Sequence, residues 1–96
     1  MMEIKAPAAV LDWPISWSLA DGETITASTW TVAPSEEGGL RVVSDSPVIN
    51  DLVTSCLVEG GLFRRVYVLT NRITTNQGRT LEQTITFRIG PSEVTG

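Results

Sequence analysis

Side chains able to do chemistry are sparse in this sequence and lie far apart. There is no histidine, so the commonest general base and the commonest metal ligand are both missing. The single cysteine, Cys56, cannot form an intramolecular disulfide or build a tetrahedral zinc site by itself. With no imidazole to draw off its proton it makes a poor nucleophile. Beside Leu57 and Val58 it reads instead as a small core hydrophobe. Glu36-Glu37 could serve as a carboxylate pair, but the Gly-rich stretch around them reads as a solvated loop. Asp12, Asp21 and Glu23 offer hard oxygen ligands, yet their spacing matches no calcium loop, and Asp21-Gly22 is a turn signal. Gly38-Gly39 and Gly60-Gly61 are followed by no basic residue in phosphate-loop register and open no helix, so both read as turns. The expectation is a chain with no catalytic residue, no cofactor and no metal ion.

The elements that would position these groups read as strands. In Leu81 to Ile89, Leu81, Ile85, Phe87 and Ile89 share one parity with Gln83, while Glu82, Thr84, Thr86 and Arg88 share the other. That is the period-two alternation of a strand with one buried face. A second long strand runs from Arg65 to Thr75 and enters Asn76-Gln77-Gly78-Arg79, where Asn and Gly tolerate the positive φ of a tight turn. Residues 65–75 and 79–89 are therefore predicted to form an antiparallel hairpin. Between Glu23 and Val32 the apolar parity switches, with Ile25 and Ala27 odd but Trp30 and Val32 even, which predicts a β-bulge near Ser28. Shorter strands are predicted at Ile15–Leu19, limited at its start by Pro14, at Leu40–Ser44 and at Leu52–Val58.

No helix of crossover length separates these strands, so a parallel sheet is not expected. The pattern predicts an all-β fold, an antiparallel immunoglobulin-like β-sandwich of about six or seven strands, with a small closed β-barrel as the alternative. The division expected is an N-terminal extension over residues 1–11, partly extended, one sandwich domain over 12–90 and a C-terminal tail over 91–96. The core residues expected are Trp30, Leu69, Ile73, Ile85, Phe87 and Ile89. Tyr67, following the Gly60-Gly61 turn two residues before the inward Leu69, has the placing of the tyrosine that closes a corner in immunoglobulin-type sandwiches.

Composition bounds the partners. The 96 residues carry a net charge of −4, which argues against a nucleic-acid surface. No apolar run approaches the roughly 20 residues of a bilayer-spanning helix, and no membrane contact is expected. The N-terminal stretch is short, broken by Pro7 and preceded by an acid, unlike a secretory leader, which points to synthesis in a cytoplasm. Of the three tryptophans, Trp13 is the one expected at a protein interface, where a rigid ring desolvates at low entropic cost, and Trp17 is assigned to the core. Arg64, Arg65 and Arg72 admit two readings, contact with an acidic partner or protection of a sheet edge from aggregation.

Two stretches together resemble the fibre–tail adaptor proteins, a small family of phage virion proteins. The first is Leu11-Asp12-Trp13, Trp17, Asp21-Gly22-Glu23-Thr24-Ile25 and Ser28-Thr29-Trp30-Thr31-Val32. The second is Thr54, Gly60-Gly61, Tyr67 to Thr75 and Gly78-Arg79. The resemblance covers roughly residues 11–89, with Cys56 where the family pattern often carries a tryptophan. It implies a non-enzymatic structural component of a virion that docks on the tail or neck and helps attach the tail fibre. The partners implied are other virion proteins of tail, adaptor and fibre, met by multiple symmetric copies, with no nucleic acid and no membrane. The interface residues implied are Trp13, Val66, Val68, Arg72 and Arg88. Fold alone does not separate this role from that of a head decoration protein or a free-standing carbohydrate- or protein-binding module.

Overall fold

The cleanest side-chain alternation gives the longest elements. The computed structural model describes residues 2–90, so the tail expected over 91–96 lies outside the described residues. Eight strands are formed: β1 (Met2–Lys5), β2 (Leu11–Ser16), β3 (Ile25–Ala33), β4 (Arg41–Val42), β5 (Val48–Asn50), β6 (Val53–Glu59), β7 (Val66–Thr75) and β8 (Thr80–Ile89). There is no helix among the described residues. β7 and β8 make the predicted hairpin, in register from Val66 opposite Arg88 to Thr74 opposite Thr80. Gly78, at φ 81°, takes the left-handed position of its turn.

The strands form two sheets, one ordered β1-β8-β7-β3 and the other β2-β6-β4, with β5 also on β6. The sheets pack as a sandwich and do not close into a barrel. β4 and β5 pair with successive parts of β6, at its end and its start, and so share one strand position. Seven positions then fall in immunoglobulin-like order, with the first strand joined to the sheet of the last.

That first strand differs from expectation. Residues 2–5, assigned to the extension, run parallel to β8 from Met2 opposite Thr86 to Lys5 opposite Ile89. The absence of crossover helices does not forbid this pairing, because the two strands come from opposite ends of the sequence and need no direct connection. β2 begins at Leu11 and contains Pro14, which is tolerated because β2 is an edge strand, paired among the described residues with β6 alone. The bulge in β3 lies between Ile25 and Ala27, earlier than Ser28, so Ala27 faces out rather than in.

Ile15, Trp17, Ile25, Leu40, Cys56, Val58, Tyr67, Leu69, Ile73, Ile85, Phe87 and Ile89 fill the interior. Trp30, expected among them, is only half-buried and packs on the core from β3, an edge strand of its sheet. Gly61 sits at φ 112° against Ile89, where a Cβ would come within 2.5 Å of the Ile89 Cδ1. This close approach and the positive φ require glycine at the turn that leads into the hairpin.

Candidate docking face

Among the described residues the buried polar side-chain atoms are hydrogen-bonded apart from the Trp30 Nε1, and one set of these bonds links the two sheets. Thr54 on β6 accepts from the Trp17 indole N–H at 2.9 Å and donates to Asn71 Oδ1 on β7 at 2.5 Å. Asn71 Nδ2 donates onward to Ser28 Oγ at 2.8 Å and to the Thr29 carbonyl at 2.9 Å on β3. One chain of bonds thus runs from one sheet to the other, with Thr54 and Asn71 fully buried.

Glu23 anchors the hairpin turn. Its Oε1 accepts from the Ala20 N–H at 2.9 Å and Arg79 Nη2 at 2.8 Å, and its Oε2 from Thr75 Oγ1 at 2.5 Å and Arg79 Nε at 2.9 Å. The forked Arg79 contact above all, then Thr75 and Ala20, holds the carboxyl down at about 2. Both carboxylate oxygens of Glu23 are committed to these bonds. Among the described residues no group of three or more Asp, Glu or Cys side chains converges on a metal position.

Tyr67 closes the corner between β6 and β7. Its hydroxyl accepts from the Leu62 N–H at 3.1 Å and donates to Glu36 Oε2 at 2.6 Å. Burial first, then the bond to Glu36, pushes this phenol up from its ordinary value. Lys5, the buried last residue of β1, donates from Nζ to the carbonyls of Gly60 at 2.6 Å and Ala6 at 2.9 Å. Desolvation draws its pKa down despite the opposing pull of Glu59. Cys56 is buried, and burial with a lesser contribution from Asp12 pushes its thiol up to about 12. These interior groups act as fasteners within the fold.

The outer face of the β1-β8-β7-β3 sheet is ordered in rows fixed by strand register. Ile4, Arg88 and Val66 lie side by side, followed by Met2, Thr86, Val68 and Ala33. Next come Thr84, Thr70 and Thr31, then Glu82, Arg72 and Thr29. The face therefore grades from an apolar end through threonines to an ion pair, Arg72 Nε to Glu82 Oε2 at 2.7 Å. At the apolar end Ile4 is 64% exposed, Met2 59%, Val66 49% and Val68 37%, with Phe63 at 51% on the adjoining loop.

Four of the five residues expected at an interface, Val66, Val68, Arg72 and Arg88, share this face. Trp13 does not. It is half-buried on the other sheet, its ring 5.3 Å from that of Phe87 and inclined at 73°, in an edge-to-face contact. Its register partner on β6 is the small residue Cys56. Met2, Ile4 and Phe63 were missed. In Met2-Glu3-Ile4-Lys5 the alternation was visible, but apolar residues point outward and the charged ones inward, the reverse of the usual assignment.

The fold is a two-sheet β-sandwich, fastened by internal polar bonds and carrying a graded outer face. This chain belongs to the family of the podophage GP4 fiber-tail adaptor protein gp77, whose family model matches residues 5–88. It is thereby a structural protein associated with the phage tail. No curated protein matches the sequence. The residues that carried the resemblance include Trp17, Ser28, Thr54 and Asn71 of the inter-sheet chain and Glu23, Thr75 and Arg79 of the turn anchor.

Proposed function

We propose that this chain is a non-enzymatic adaptor that docks on the tail or neck of a phage particle and helps attach the tail fibre. It acts through the outer face of the β1-β8-β7-β3 sheet, with Val66, Val68 and Arg88 at the docking end and Arg72 further along. The family match over residues 5–88 carries this reading. Its location on the molecule is supported by the adjoining exposed side chains of Met2, Ile4, Phe63, Val66 and Val68, since apolar groups gathered on one surface mark interaction sites. Its copies follow the rotational symmetry of the tail, and its partners are tail, adaptor and fibre proteins rather than nucleic acid or membrane. Synthesis takes place in the host bacterial cytoplasm.

Electron microscopy of particles carrying a gold-labelled chain, beside particles from a phage lacking its gene, tests the reading. Label at the tail, with fibres missing from the deletion particles, is the expected result. Label distributed over the capsid would make it a head decoration protein. A chain absent from particles that binds a glycan array would make it a free-standing binding module.

A further inference from the structure

We propose that the cleft lined by Ile4, Phe63, Arg64 and Arg88 receives an acidic side chain set among apolar residues on a neighbouring virion protein. The inference deepens the adaptor reading and rests on it. Its first support is charge. Arg41, Arg65, Arg72 and Arg79 each pair with a glutamate, and Lys5 directs its ammonium to backbone carbonyls. Among the described residues, Arg64 and Arg88 alone of the cations have neither a carboxylate partner nor a side-chain hydrogen bond. Both line the same cleft, together with Ile4, Phe63, Ile89 and Gly90. In a chain of net charge −4, two such cations in one apolar setting complement a carboxylate, and the nearby hydrocarbon strengthens the pairing.

Backbone conformation is the second support. Arg64 has φ 69°, in the left-handed region. Elsewhere among the described residues positive φ falls to five glycines and to Asp51, and aspartate is one of the few side chains suited to it. Glycine would serve the backbone better at position 64, so the backbone conformation gives no reason for an arginine there. The Arg64 N–H donates to the Ile89 carbonyl at 2.8 Å, and its guanidinium stands over the Phe63 ring at 5.3 Å from the centroid. These contacts hold a planar, multi-donor cation at the mouth of the cleft, the geometry that suits forked recognition of a carboxylate.

The test is binding of the purified chain to particles assembled by a phage lacking its gene, read by co-sedimentation at increasing salt. Arg64→Gly and Arg88→Gln are each expected to weaken binding about tenfold or more and to flatten its salt dependence. Arg64→Gly should leave the melting temperature unchanged or raise it, because glycine relieves the backbone. Arg41→Gln, which removes a pair with Glu59 on the other sheet, should bind as the parent does. Parent-like binding by both cleft variants would overturn the assignment and leave the adaptor reading intact. Failure of the parent chain itself to bind such particles would overturn both. A dimer of the chain, or binding to phosphatidylglycerol vesicles, that the same two changes abolish would give the cleft to a second copy or to a membrane and likewise overturn it.

Discussion

Thr54 and Asn71 meet across the interior of the sandwich, hydroxyl to amide oxygen at 2.5 Å, joining β6 of one sheet to β7 of the other. Each is also held from a second direction, Thr54 by Trp17 and Asn71 by Ser28 and Thr29. Thr54→Val keeps the volume but leaves the Trp17 N–H and the Asn71 carbonyl unsatisfied, at a cost of about 2–4 kcal/mol. Asn71→Leu should cost at least as much. In urea unfolding the double variant should lose less than the sum of the singles by about 1 kcal/mol or more. Strict additivity would show that the two side chains do not act together.

Acid should loosen the molecule through Glu23. Its folded pKa of about 2 lies below the model-compound value of 4.5, so the bound carboxylate stabilises the fold above pH 4.5. That contribution fades as pH falls from there toward 2. Melting temperatures measured from pH 7 to pH 2 should decline across this window in the parent and decline less in Glu23→Gln. Identical pH profiles would remove Glu23 from the account of acid sensitivity.

Phe87→Ala empties a fully buried position on β8 and should cost about 3–5 kcal/mol. Trp13→Ala removes a half-buried ring that touches Phe87 edge-on and should cost less, about 1–3 kcal/mol. Thermal melting of the two variants checks the order. A Trp13→Ala variant as stable as the parent would restore the exposed-anchor reading of that residue.

Cys56, buried with its thiol pushed up to about 12, should resist alkylation by iodoacetamide at pH 8 in the native state. It should react once the chain is unfolded in urea, because the thiolate is the reactive form. Rapid native labelling, followed by mass spectrometry, would place the sulfur at the surface.

The hairpin and the Tyr67 corner were legible because local chemistry specifies them. β7 and β8 alternate with period two, Asn76 and Gly78 mark the turn, and Tyr67 follows a glycine pair at the corner spacing. The outward placing of Val66, Val68, Arg72 and Arg88 followed from the same alternation. What stayed hidden depends on partners remote in sequence. Asn71 is buried because Thr54, Ser28 and Thr29 are brought to it. Lys5 turns inward because the Gly60 carbonyl waits there, and this sends Met2 and Ile4 outward. Trp13 is half-buried because its ring meets Phe87 of the opposite sheet. The Arg64–Arg88 cleft joins a loop to two strands that are neighbours only in the folded sheet.

The pairing of β1 with β8 bears on how the molecule carries load. The two strands run in the same direction, so tension applied at Met2 and at Gly90 slides one along the other and strains their hydrogen bonds all at once. An antiparallel pair pulled from its open end would unzip bond by bond. In single-molecule pulling, rupture through residues 2 and 90 should need a larger force than rupture through Val66 and Ile89, the open end of the hairpin. A virion part bearing the drag of a fibre would gain tensile strength from such a shear clamp.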